Sequence, residues 1–69
     1  MTYGELTRRL RQLGMQYHHK GRGSHEIWWN PASKLYTQIP VHRGREIPPG
    51  TLRAILRQLG LSENDLRDA

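Results

Sequence analysis

Two stretches with leucines at helical spacing bracket a middle region that favours strands, and that arrangement leaves the chain few ways to build a core. Thr2-Tyr3-Gly4-Glu5 matches a capping box, in which a hydroxyl and a carboxylate satisfy free amides at a helix start. Leu6, Leu10 and Leu13 follow as one apolar stripe, and Gly14 supplies a left-handed stop, so the spacing predicts a helix over about residues 3–13. Leu52, Ile55, Leu56 and Leu59 form a second stripe, entered through Pro49 and closed by Gly60. Ser62-Glu63-Asn64-Asp65 reads as a further cap, with Leu61 and Leu66 placed like a hydrophobic staple around it, and predicts a short terminal helix.

Between the helices, Met15 to Lys20 alternates poorly and ends in Gly21-Arg22-Gly23, a turn whose two glycines tolerate positive φ. Ser24 to Asn30 contains Ile27, Trp28 and Trp29 and favours a strand; Asn30-Pro31-Ala32-Ser33 is a second turn. Leu35 to Val41 alternates with Leu35, Thr37 and Ile39 on one face, and Pro40 belongs near that strand's end or on an edge. The expected fold is α+β, α-β-β-β-α: a three-stranded antiparallel meander with two helices on one face and a short helical tail. Adjacent tryptophans on a strand point to opposite faces. Trp28 is expected in the core with Met15, Tyr17, Leu35 and Ile39, which puts His25, Ile27 and Trp29 on the open face. An apolar patch there, rimmed by basic residues, suits base stacking or a protein partner.

A chain of 69 residues has room for one domain, taken as residues 1–69. A domain of that size buries only about 60% of the surface its unfolded chain exposes, so a shallow functional surface is expected rather than a deep cofactor pocket. No apolar run approaches the ~18 residues of a membrane span, and the N-terminus lacks the basic and apolar segments of a secretory signal. The expected compartment is the cytoplasm, with no membrane partner. The absence of cysteine removes disulfides, thiolate nucleophiles and Cys-based metal sites. Charge is uneven: residues 1–45 carry eight basic side chains (Arg8, Arg9, Arg11, Lys20, Arg22, Lys34, Arg43, Arg45) against Glu5 and Glu26, within a net charge of +5. Such a distribution attracts polyanions, nucleic acid first among them.

Four histidines are then the natural candidates for proton transfer. His25 follows Gly21-Arg22-Gly23-Ser24, so it enters a strand beside a turn with accessible amides and with Lys20 and Arg22 close by. RNA carries its own nucleophile in the 2′-hydroxyl, so a protein at that linkage need only move protons and stabilise charge. Lys20, Arg22, Ser24, Arg43 and Arg45 are the expected RNA-binding residues, and His42, at the end of the third strand, is a secondary candidate for the complementary proton transfer. His18 and His19 are adjacent and should point to opposite faces of a strand, so no metal site and no cofactor are expected. Gly21 and Gly23 do not form a P-loop, and Ser24 beside His25 lacks a third group to orient the ring. A non-catalytic RNA-binding module using the same surface is the alternative; its affinity would fall steeply with salt and depend little on His25.

Gly23-Ser24-His25-Glu26-Ile27-Trp28, Ile39-Pro40-Val41-His42 and Ile47-Pro48-Pro49-Gly50-Thr51-Leu52-Arg53-Ala54-Ile55-Leu56-Arg57 together resemble the HicA family of toxins, in order and over nearly the entire chain. The resemblance implies a double-stranded-RNA-binding-domain-like fold and a ribonuclease that cleaves mRNA and halts translation. It further implies inhibition by a HicB-type antitoxin, in a complex through which alone operator DNA would be bound. The family's catalytic histidine falls on His25.

Overall fold

The computed structural model describes residues 1–69. Helix α1 spans Tyr3–Gln12, strands β1, β2 and β3 span Gln16–Lys20, His25–Asn30 and Leu35–Pro40, and helices α2 and α3 span Pro49–Leu59 and Glu63–Arg67. The strands form one antiparallel sheet in the order β1-β2-β3, the meander expected from the turn spacing. The order α-β-β-β-α with a helical tail is that of the double-stranded-RNA-binding-domain-like fold. No helix is long and apolar enough to cross a membrane.

Leu6 and Leu10 of α1, Ile55, Leu56 and Leu59 of α2, Trp28 and Ile39 of the sheet, and Leu66 of α3 share one buried cluster. Both main helices therefore cover the same sheet face. Polar contacts run to that face as well. The Tyr3 hydroxyl donates to Glu26 Oε1 at 2.6 Å, Asn30 Nδ2 donates to the Leu59 carbonyl at 3.1 Å, and the Thr37 hydroxyl donates to Gln58 Oε1 at 2.7 Å. Trp28 is fully buried, as its alternation with Trp29 predicted. Tyr17 and Leu35, expected inside with it, are 49% and 42% exposed. They lie on the outer strands, at the limit of what two short helices cover: the Tyr17 ring meets Trp28 edge-on at 6.2 Å, and Leu35 Cδ1 lies beside Gly60.

The caps follow the sequence with one difference. Ser62 and Asp65 complete a reciprocal capping box, bonded at 2.8 and 3.0 Å. At α1 the Thr2 hydroxyl accepts from the Glu5 amide and also donates to the Glu5 carboxylate, at 3.3 and 3.1 Å, so the box is closed by a side-chain contact. That hydroxyl, with the Thr2 amide beside it, holds the Glu5 carboxyl below its ordinary value. Helix α1 ends at Gln12 and is capped by Leu13, with Gly14 at φ +91° just beyond. Pro40 is the last residue of the edge strand β3, where its missing donor breaks no ladder.

Tyr3 gives the fold a pH signature. Burial first, then the Glu26 carboxylate that accepts its hydroxyl, push the phenol above its ordinary 10.0. A raised value means that the folded state holds the proton more tightly than the unfolded one. The resulting stability is complete below pH 10 and drains away as pH rises through the folded value. Chemical denaturation between pH 9 and 12 should show a steeper alkaline loss for the native chain than for Tyr3→Phe; parallel curves would mean that Tyr3 adds nothing in that window.

Candidate functional site

His25 opens β2, and its backbone is held from both sides of the preceding turn. The Gly21 amide donates to the His25 carbonyl at 2.9 Å, the His25 amide donates to the Arg22 carbonyl at 3.0 Å, and the Val41 amide donates to the Ser24 carbonyl at 2.8 Å. Gly23 has φ +56° and needs to be glycine for that reason. Gly21 does not use the positive φ that a glycine tolerates. A side chain on Gly21 would stand 3.2 Å from Ile27 Cδ1, 3.3 Å from the His25 carbonyl oxygen and 3.4 Å from His25 Cβ. Its role is to let the turn close on the histidine. Gly21→Ala should therefore disturb His25 directly, at a cost of about 1–3 kcal/mol for the overpacked methyl. Thermal melting and the chemical shifts of the His25 ring check this, and a ring left unmoved would show that the turn has slack.

The half-buried His25 borders a shallow hollow of about 290 Å³ lined by Tyr17, Lys20, Gly23, Ser24, Glu26 and Val41. Of the residues nominated with His25, the structure brings Lys20 and Ser24 to this hollow. Arg22 is exposed in the adjoining turn. Arg43 lies over the Tyr3 ring, its guanidinium carbon 5.2 Å from the ring centre, one side chain removed from Glu26. Arg45 and His42 line a separate hollow of about 200 Å³ with Pro40, Glu46, Ile47 and Pro48. The structure thus does not bring His42 to the His25 hollow: Val41 is drawn to Ser24, and the next residue turns away around the end of β3. The largest hollow, about 470 Å³ between β3 and α2, is lined by apolar, hydroxyl and amide side chains and contains none of the nominated residues.

The cationic side chains are left free of carboxylates. The ion pair in the structure joins the N-terminal amine to Glu46, and none joins a Lys or Arg side chain to Asp or Glu. The +5 charge is thus presented to solvent, where an anionic chain can meet it.

With that geometry in view, a model of the family described as HicA toxin of bacterial toxin-antitoxin matches residues 3–61. The chain belongs to the HicA toxin family. No curated protein matches it.

Sequence reasoning missed one residue at this HicA hollow. Glu26 Oε1 accepts hydrogen bonds from both the Tyr3 hydroxyl and the Trp28 indole N–H, at 2.6 and 3.0 Å. The carboxylate therefore joins α1 to the central strand while lining the His25 hollow. The signal was present in the alternation. If Trp28 faces the helices, so does Glu26, and an inward carboxylate needs donors. Sequence reasoning also misplaced His18 and His19. A register shift between Tyr17 and His19 inserts an extra residue into β1, and the two rings come together with their Nδ1 atoms 2.7 Å apart instead of parting across the sheet.

Proposed function

We propose that this HicA toxin is a metal-independent endoribonuclease of mRNA in which His25 moves the proton at the scissile linkage. The observation that carries the reading is His25 itself, fixed by its backbone at the edge of an open hollow that Lys20 and Ser24 share. In this scheme the imidazole takes the proton from the ribose 2′-hydroxyl as that oxygen attacks the adjacent phosphorus. Lys20 and the Ser24 hydroxyl meet the phosphoryl oxygens as charge builds on them. The leaving 5′-oxygen takes its proton from water, which reaches the hollow freely. Arg22, Arg43 and Arg45 hold the backbone on either side, and the cytoplasm is the compartment in which mRNA is met.

A HicB-type antitoxin, acidic where it touches this surface, would inhibit by covering His25 and neutralising the cations around it. Operator DNA would be bound only by that complex.

The test is incubation of purified protein with end-labelled RNA in excess EDTA. Scission into discrete fragments is expected. Binding that weakens with salt but leaves the RNA intact would replace the enzyme with a module that only binds.

A further inference from the structure

The face of the sheet turned away from the helices carries a cluster of rings that the chemistry at His25 does not use. Trp29 and Tyr36 are paired across β2 and β3, and their rings stack at 5.4 Å between centroids with 30° between planes. The His18 ring stands edge-on to both, at 4.9 and 5.1 Å. Lys34 Nζ lies over the Trp29 ring, 5.3 Å from its centre. Tyr36 is 46% exposed, and His18 and Lys34 are exposed too. Lys34 reaches its position from a left-handed backbone at φ +65°, unusual for a residue other than glycine, in a turn closed by its own amide on the Asn30 carbonyl at 2.7 Å. Alternation from Tyr17, which pairs with Trp28, puts His18 on this face, and the bulge in β1 brings His19 to it as well, opposite Ile27.

Strand alternation puts Trp29 on the same face as His25, four residues and about 13 Å along β2. The hollow is lined from both faces, by His25 on this one and by Tyr17 and Glu26 on the helix side, so a polymer that leaves it past His25 and runs along β2 meets the rings within a few of its own repeats. Stacked aromatic rings with a cation above them suit a planar, π-faced group on an anionic chain: the ring takes the base and the ammonium takes its phosphate. The charge of +5 favours a polyanion over an ordinary protein surface. Unpaired bases offer their faces, whereas a duplex keeps them stacked inside.

We propose that Trp29 and Tyr36, braced by His18 and topped by Lys34, form a stacking platform for unpaired bases of an RNA strand whose scissile linkage lies at His25. The platform rests on the ribonuclease reading for its ligand, but binding alone tests it. His25→Ala protein is titrated with a short oligouridylate and with an abasic ribose-phosphate oligomer of equal length, following tryptophan fluorescence and anisotropy together. Trp28 is sealed in the core, so quenching on binding reports Trp29. The expected result is quenching by oligouridylate and an affinity about ten-fold or more above that of the abasic oligomer. Trp29→Leu in the same background should lose about ten-fold in affinity, and Trp29→Phe should regain most of it. Equal affinity for the two oligomers, saturation without quenching, or unchanged binding by a folded Trp29→Leu protein would each overturn the platform while leaving the ribonuclease reading in place. Trp29→Leu that weakens antitoxin binding and spares RNA binding would overturn it in favour of a protein-docking face. Failure of every oligomer to bind would remove the ribonuclease reading along with it.

Discussion

Expression of the His25→Ala chain should allow growth to continue, and the purified variant should cleave RNA about a hundred- to ten-thousand-fold more slowly than the native protein. That range is what a positioned general acid or base contributes. The change should fall on the rate and spare RNA affinity, because the hollow keeps Lys20 and Ser24 and the surrounding arginines are untouched. It should spare stability too, since His25 is held through its amide and carbonyl rather than through its ring. Growth rate, single-turnover cleavage and a thermal melt separate these effects. A folded variant that still arrests growth and still cuts RNA would take His25 out of the mechanism.

The largest loss of stability is expected from Trp28→Ala. Trp28 is fully buried at the centre of the sheet, with the Arg11 guanidinium 5.0 Å from its ring centre and its indole N–H on Glu26. Removing the ring from a packed core costs about 3–5 kcal/mol. It also takes from Glu26 one of its two donors. A domain of this length is stable by about 3–10 kcal/mol, so the variant should be largely or wholly unfolded near 37 °C. Trp28→Phe keeps most of the apolar volume and should lose less. Urea denaturation of the two variants checks the ranking; equal midpoints would mean that the core tolerates the missing ring by collapsing around it.

What could be read from the sequence divides along a physical line. Periodicity and caps depend on neighbours along the chain, so the leucine stripes, the Ser62 box, the stop at Gly14 and the burial of Trp28 were all legible. Features set by width and register were not. Tyr17 and Leu35 follow the correct alternation yet remain exposed, because nothing in a strand's own residues says how far two helices will reach across it. The β1 bulge is a mismatch between two strands, and it decides that His19 joins His18 on the face of Trp29 and Tyr36. The same division runs through the site. Lys20, Ser24 and His25 are joined by one turn and come together as expected, whereas His42 and Arg45 depend on the path after Pro40 and line a different hollow. Glu26 was legible in principle, from the rule that an inward carboxylate must find donors, and the structure supplies them in Tyr3 and Trp28.

In the proposed reaction His25 serves a ribose attacking its own phosphodiester. An RNA bearing a single 2′-deoxynucleotide at the position of the cut removes the nucleophile and leaves the phosphate, the bases and the protein unchanged. This substrate should bind like the unmodified RNA and resist scission at that linkage, while the unmodified strand is cut there at full rate in EDTA. Cleavage of the deoxy linkage at a comparable rate would mean that the nucleophile comes from elsewhere, and the role given to His25 would fail with it.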